Sequence, residues 1–234
     1  MKMTLRLLLV VAVCVGLASA TPFSNGSFTC SVGCEPTPPW SDQWRNVTGA
    51  GVIPNWTASG LSGINWVAEY LVGTGMGWET TATGDSLHYS VGLQGYTAAS
   101  GWQPGLVQQT FDTIIGHVYQ ITWKASAAPA AFSPTGGNKA AVFASVRVDT
   151  LAVDTPYVFG YTKSLHPTWT GGANMAWASS DAVAYSRLFT ADATSTTITF
   201  QSLETAGGGS LIGGIALDGV TLTDIPQDIP EPGT

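Results

Sequence analysis

Few residues of this sequence have the types and spacing that catalysis requires. The three histidines, His88, His117 and His166, are far apart, and none stands at metal-ligand spacing from another histidine or a cysteine. A Gly-x-Ser-x-Gly nucleophile turn is absent from the sequence. Glu69 and Glu79 lie in an aromatic stretch and could form a glycosidase carboxylate pair, but solvated or structural acids are the simpler interpretation. The sequence therefore predicts a non-catalytic protein, with an extracellular glycoside hydrolase as the weakest alternative.

Tryptophans offer a different chemistry, the stacking of a flat ring on the C–H face of a sugar. Trp56, Trp78 and Trp102 stand beside Gly, Pro or Asn in predicted loops, and loops carry most binding function. We expect these three residues to be the carbohydrate contacts, with Trp78 and Trp102 the best candidates. The alternative is that such a ring folds back over its own domain. The tryptophans in strand-like segments are predicted to lie in the core instead: Trp66, Trp123 and Trp177.

The N-terminus has the order of a secretory signal peptide. Lys2 and Arg6 precede an apolar run from Leu7 to Leu17, and Ala18-Ser19-Ala20 is a small-residue cleavage site. The apolar run is shorter than the roughly 20 residues that cross a bilayer. We expect residues 1–20 to be removed, so that the mature chain is secreted, carries no membrane span and begins at Thr21.

Charge restricts the partners of the mature chain. After removal of the leader, six basic residues face fifteen acidic ones, a formal net charge of −9. Such a surface repels phosphate backbones and acidic polymers. The composition therefore argues against nucleic acid as a partner and favours a neutral glycan.

Two modifications are expected from export. Cys30 and Cys34 are the cysteines that remain after cleavage, and an oxidising compartment favours a disulfide between them over a metal site that lacks further ligands. Three N-glycosylation sequons begin at Asn25, Asn46 and Asn55, and they matter in a eukaryotic source.

Short segments with alternating apolar and polar residues must position any site. Val142 to Val148 is one such run, and Ile198 and Phe200 belong to another. Ile115-Gly116-His117 is predicted to close a hairpin between the strands on either side of it. Because turn residues separate many such strands and no helix-period segment follows the leader, we expect one all-β domain over residues 21–224. The proline-rich residues 225–234 are predicted to form a disordered tail.

Several blocks of sequence resemble a known group of proteins. Asn25-Gly26-Ser27-Phe28 opens the series and Ala216-Leu217-Asp218-Gly219-Val220 closes it. Between them stand, in order, Ile53-Pro54-Asn55-Trp56, Ile64-Asn65-Trp66-Val67, Gly84-Asp85-Ser86-Leu87, Val107 to Thr113, Gly116-His117-Val118-Tyr119, Asn174-Met175-Ala176-Trp177, Phe189-Thr190-Ala191 and Thr196 to Leu203. In this order the sequence resembles the choice-of-anchor C domain family, which is similar to plant cell-wall proteins built on "domain of unknown function 642".

The resemblance covers Asn25 to about Val220 and carries specific implications. It implies a single jelly-roll β-sandwich of galactose-binding-like type, an extracellular location, and non-catalytic binding of cell-surface or cell-wall polysaccharide. A structural or adhesive surface protein without glycan affinity is the alternative. Pro230-Glu231-Pro232 also resembles the start of a bacterial sorting signal.

The same resemblance suggests a structural calcium ion. Asp218 would be a ligand near the Asn25 to Thr29 segment, with backbone carbonyls supplying further oxygens. Related jelly rolls often have Glu where this chain has Thr29. Because Asp218 alternates with Leu217 in a predicted strand, a solvent-facing Asp218 without a ligand is the alternative.

Overall fold

The computed structural model describes residues 21–28, 44–61, 63–68, 89–97, 101–127, 141–149, 156–162, 183–204 and 215–226. Within these ranges the chain forms thirteen β-strands and no helix, which confirms the all-β prediction. The strands are β1 Trp44–Val47, β2 Gly49–Ala50, β3 Thr57–Gly60, β4 Ile64–Ala68, β5 Tyr89–Gly92, β6 Gln94–Thr97, β7 Gly101–Asp112, β8 Val118–Ala127, β9 Ala141–Val148, β10 Tyr157–Thr162, β11 Val183–Thr190, β12 Ser195–Ser202 and β13 Ile215–Ile225. The described part of the chain contains no helix of the length and apolarity needed to cross a bilayer.

The strands form two antiparallel sheets. Sheet A has the order β1-β4-β5-β13-β8-β11, and sheet B has the order β10-β9-β12-β7-β3-β2, with β6 paired to β7. The chain passes repeatedly from one sheet to the other, as between β7 and β8, β8 and β9, and β12 and β13. Two sheets linked in this way form a jelly-roll β-sandwich, the fold class that the sequence predicted.

The core lies between the sheets and is built by alternation along each strand. Val142, Ala144, Val146 and Val148 of β9 are all buried, as the period-two pattern predicted. Trp123 of β8 is 1% exposed, and its ring packs edge-on against Phe159 of β10 and Phe200 of β12. Large aromatic rings from both layers thus fill the interior, which confirms the predicted place of Trp123 in the core.

The turn before β8 was predicted correctly, but its hairpin was not. Gly116 has φ 85°, and the N–H of His117 bonds to the carbonyl of Ile114 at 3.0 Å, so the chain does reverse here. β7, however, pairs with β12 and β3, whereas β8 pairs with β13 and β11 in the opposite sheet. The segment therefore joins the two layers. The hairpin prediction was wrong because alternation indicates which side of a strand is buried but not which strand it is hydrogen-bonded to.

The first residues of the expected mature chain are part of the sandwich. The N–H of Ser24 bonds to Oε1 of Gln109 at 2.9 Å, and Nε2 of Gln109 donates to the carbonyl of Ser24 at 2.8 Å. Phe28 is fully buried, and the carbonyl of Gly26 accepts the N–H of Val220 at 2.9 Å. Residues 21–28, called the N-terminal segment below, therefore contact strands of both sheets.

Candidate functional site

Trp56 is a core residue, so its predicted role as an exposed sugar platform is wrong. Its side chain is 1% exposed, and its ring centroid lies 4.9 Å from that of Phe28 and 6.0 Å from that of Phe23. The indole Nε1 donates to the carbonyl of Asn25 at 2.8 Å. The turn at Asn55, with φ 67°, folds the ring inward onto the N-terminal segment. Burial with a satisfied N–H leaves no ring face for a ligand.

The other two candidate tryptophans are placed only in part. Trp102 lies in strand β7, opposite Tyr96 of β6, and not in the predicted loop. Trp78 lies outside the described residues, as do both cysteines of the predicted disulfide and both candidate glycosidase acids, Glu69 and Glu79. The roles predicted for these two tryptophans, for the cysteine pair and for the two acids therefore stay predictions.

Asp218 is buried, which excludes the solvent-facing alternative. It is 5% exposed in β13, where the register with β8 shifts between Asp218 and Thr221. Gly219 has φ 58°, and its N–H donates to Oδ1 of Asp218 at 2.5 Å. This irregular part of β13 lies against the N-terminal segment, since the N–H of Val220, the residue after Gly219, bonds to the carbonyl of Gly26.

The resemblance implied a structural calcium ion with Asp218 as one of its ligands. In the described ranges, no three or more His, Cys, Asp or Glu side chains form a group that could hold a metal. A calcium ion at Asp218 would take that carboxylate and otherwise mainly carbonyl oxygens, which Ca²⁺ accepts as ligands. The calcium role of Asp218 therefore stays a prediction.

The three sequons differ in their environments. Nδ2 of Asn25, the atom that glycosylation would modify, donates to the carbonyl of Pro54 at 2.8 Å in a half-buried turn. Asn55 is exposed, and its Nδ2 donates to Oγ of Ser24 at 2.9 Å. Asn46 lies in β1 opposite Asn65. Of the two sequons whose side chains are described, the one at Asn55 is the more accessible.

The outer side of sheet B carries mainly uncharged polar side chains, and the charged residues on its strands are Arg147 of β9 and Asp112 at the end of β7. Thr199 of β12 lies between Arg147 of β9 and Gln108 of β7, and Gln108 lies opposite Thr57 of β3. Four adjacent strands thus contribute one row, and the strand spacing makes it about 14 Å long. We call the following residues, all exposed or half-buried, the polar face: Thr57, Gln108, Thr110, Arg147, Thr197, Thr199 and Gln201.

Apolar side chains border the polar face where β12 ends. Phe143 of β9 is 44% exposed, Val158 of β10 is 54% exposed, and Leu203, just after β12, is 47% exposed. The N–H of Leu203 bonds to the carbonyl of Phe143 at 3.0 Å, and Phe143 lies opposite Gly160 in β10. We call Phe143, Val158 and Leu203 the apolar end.

Together the two groups match the two sides of a sugar. Hydroxyl, amide and guanidinium groups can donate hydrogen bonds to sugar hydroxyls, and the first two can also accept them. The ring of Phe143 can cover the apolar C–H side of a pyranose. Thr110 and Thr197 already share a hydrogen bond, with their Oγ1 atoms 2.8 Å apart, which orients both hydroxyls.

Phe143 was missed in the sequence, although a signal exists. It is the one large aromatic residue at a polar position of the alternating run Val142 to Val148, where its outward neighbours are Ser145 and Arg147. A single exposed ring is ordinary, but Phe143 lies with the exposed side chains of Val158 and Leu203, and exposed apolar residues that lie together suggest a contact surface. The sequence predicts exposed rings in loops, whereas Phe143 lies on a strand.

No family model and no curated protein matches this chain. Solved structures with a related chain path include TmCBM61 in complex with β-1,4-galactotriose, which is 13% identical with a TM-score of 0.43, over 73% of this chain and 88% of that one. The CBM22-1 xylan-binding domain from Paenibacillus barcinonensis Xyn10C is 8% identical with a TM-score of 0.40, over 78% and 91% of the two chains.

An enzyme is also among these similar structures. The enzymatically active domain of tailspike protein 4 from bacteriophage CBA120 is 18% identical with a TM-score of 0.38. The match covers 73% of this chain and 19% of the tailspike chain, so this chain spans about a fifth of that protein's length.

Proposed function

We propose that this chain is a non-catalytic extracellular module that binds a neutral carbohydrate of a cell surface or cell wall. The observation that carries the proposal is the exposed ring of Phe143 beside the hydroxyl and amide side chains of the polar face. A pyranose needs both an apolar surface and hydrogen-bonding groups, and few surfaces offer them side by side.

Rigid strands make this surface suitable for binding. Arg147, Thr199 and Gln108 are fixed in register by the ladders between β9, β12 and β7. Side chains on paired strands lose less freedom when a ligand binds than side chains on mobile loops do. The same regular spacing suits a ligand that is itself a chain of similar units.

Charge supports a neutral ligand. The mature chain has a formal net charge of −9, and Arg147 is the one charged residue of the polar face. A uronate polymer would approach this protein against a repulsive field, whereas a neutral glycan would not. The predicted signal peptide supports an extracellular location. We retain the resemblance to the choice-of-anchor C domain family as part of the proposal, since it implies the same location and the same class of ligand.

The test is binding of the mature protein to a glycan array, followed by titration calorimetry with galactan, xyloglucan and cellulose oligosaccharides. Phe143→Ala should weaken binding by about tenfold or more if the ring is a central contact. Leu188→Ala is the matched control, because Leu188 is 61% exposed on β11 of the other sheet.

Three results would contradict the proposal. No binding to any glycan would favour a structural or adhesive surface protein. Binding that Phe143→Ala leaves unchanged would place the site elsewhere on the molecule. Steady release of reducing ends from a bound polysaccharide would show a hydrolase.

A further inference from the structure

We infer that Glu204 and Gly160 are positioning residues that fix the ring of Phe143 for sugar stacking. The inference rests on the proposed function, since it names the residues that prepare the same site. Neither residue needs to touch the ligand. Glu204 acts on the backbone of Phe143, and Gly160 leaves the space that the ring of Phe143 occupies.

Glu204 holds the backbone of Phe143. The N–H of Phe143 donates to Oε1 of Glu204 at 2.8 Å, while the carbonyl of Phe143 accepts the N–H of Leu203. The ladder between β9 and β12 ends at the pair of Ala144 and Ser202. The carboxylate of Glu204 therefore takes the place of the carbonyl that a longer β12 would present to Phe143.

A local bond in turn holds Glu204. Its N–H donates to Oγ of Ser202 at 3.2 Å, and the residue is half-buried. Glu204 is thereby held beside the end of β12, within reach of β9. A hydrogen bond to a charged group stabilises more than a hydrogen bond between neutral groups. The bond from the N–H of Phe143 to the Glu204 carboxylate therefore resists fraying at the end of the ladder.

Gly160 provides the space for the ring. A Cβ atom at this position would lie 2.6 Å from Cε1 of Phe143 and closer still to Cδ1, so the ring lies against the β10 backbone. The hydroxyl of Tyr185, from sheet A, donates to the carbonyl of Gly160 at 2.5 Å and holds β10 from the interior. Any side chain at Gly160 must push the ring away.

These contacts reduce the cost of binding. A phenyl ring free to change rotamer must be ordered when a sugar stacks on it, and that ordering weakens the affinity. With its backbone N–H bonded to Glu204 and its ring against Gly160, Phe143 is ordered beforehand on the strand that carries Arg147. A sugar stacked on the ring and a neighbouring sugar bonded to Arg147 would then lie a fixed distance apart.

The experiment compares Glu204→Ala, Glu204→Gln, Gly160→Ala and Phe143→Ala with the parent protein. Calorimetry with the galactan, xyloglucan or cellulose oligosaccharide that binds best measures affinity, and thermal melting reports folding. We expect Glu204→Ala and Gly160→Ala to lose about fivefold to tenfold in affinity. Glu204→Gln should bind like the parent protein, because its amide oxygen still accepts the N–H of Phe143.

A second measurement needs no ligand. In the parent protein and in Glu204→Gln, the Hα resonances of Gly160 should be shifted by the ring current of Phe143. Glu204→Ala should reduce that shift, and Phe143→Ala should abolish it. These NMR spectra test the positioning role even if none of the three oligosaccharides binds.

The outcomes separate the two proposals. If Phe143→Ala weakens binding while folded Glu204→Ala and Gly160→Ala bind like the parent protein, the proposed function stands and the positioning role is wrong. If Phe143→Ala leaves binding intact, the proposed site fails. An unchanged Gly160 resonance in Glu204→Ala would overturn the role of Glu204 whatever the affinity. Unchanged affinity in folded Gly160→Ala would overturn the role of Gly160, and that test does not depend on whether Glu204→Ala folds.

Discussion

Thr21 and Asp112 are joined by two hydrogen bonds, although 91 positions separate them in the sequence. The N–H of Asp112 donates to the carbonyl of Thr21 at 2.9 Å, and the nitrogen of Thr21 donates to Oδ2 of Asp112. If the leader is cleaved after Ala20, this nitrogen becomes the charged α-amino group of the mature protein. Cleavage would then convert a hydrogen bond between an amide and a carboxylate into an ion pair.

We expect Asp112→Asn to lower the melting temperature of a protein that begins at Thr21 by about 1–3 °C at low salt, the scale of an exposed ion pair in a chain of this size. The control is the same substitution in a protein that retains Ala20, where the nitrogen is an amide and the loss should be smaller. Equal losses in both backgrounds would show that the charge on Thr21 contributes nothing.

Trp56→Ala should destabilise the fold by about 3–5 kcal/mol, because it empties a fully buried site and removes the donor to Asn25. Denaturant unfolding of the mature protein measures the change. Leu188→Ala, at an exposed position, should stay within about 0.5 kcal/mol of the parent protein. A loss under 1 kcal/mol for Trp56→Ala would contradict the burial described above.

Stability should fall at alkaline pH through Tyr185. Burial raises the pKa of this hydroxyl above its ordinary value of 10.0, so the folded state favours the neutral phenol more strongly than the unfolded state does. That contribution is fully present below pH 10 and is lost as pH rises through the higher folded pKa.

The measurement is the free energy of unfolding from pH 8 to 11 for the parent protein and Tyr185→Phe. The parent protein should lose more stability above pH 10 than the variant, which has no proton to release at this position. Parallel curves would show that Tyr185 titrates alike in both states.

Calcium, if it binds at Asp218, should raise the melting temperature in proportion to the logarithm of its excess over the dissociation constant. Asp218→Asn should abolish that dependence, because it removes the charged ligand. Melting curves recorded with calcium and with a chelator provide the check. Curves that coincide in the parent protein would dispose of the site.

The sequence predicted the parts of this fold that depend on local alternation. Val142 to Val148 and Ile198 to Phe200 form strands with the expected side buried, because period-two burial is written directly in the order of residues. The partner of each strand is not written there. β8 follows β7 by a short turn, yet the two strands lie in different sheets.

Trp56 shows why the candidate site was harder to predict. Its neighbours Pro54 and Asn55 correctly indicate a turn, but the direction of the ring depends on Phe23, Phe28 and the carbonyl of Asn25. Those partners come from the N-terminal segment, which no local pattern relates to Trp56. Phe143 is the reverse case. The alternating sequence makes its strand evident, and only the exposed position of its ring distinguishes it as a candidate contact.

The reach of the N-terminal segment also constrains the order in which the protein can fold. Phe28 is buried, and Gly26, two residues before it, bonds to Val220, which lies 194 positions later in the sequence. The N-terminal segment must therefore wait for β13 before this contact can form. Contacts so distant in sequence slow folding, and the interval exposes apolar strands to aggregation. If the chain is exported, as its leader predicts, passage in an unfolded state would agree with that delay, since the sandwich cannot close before β13 has emerged.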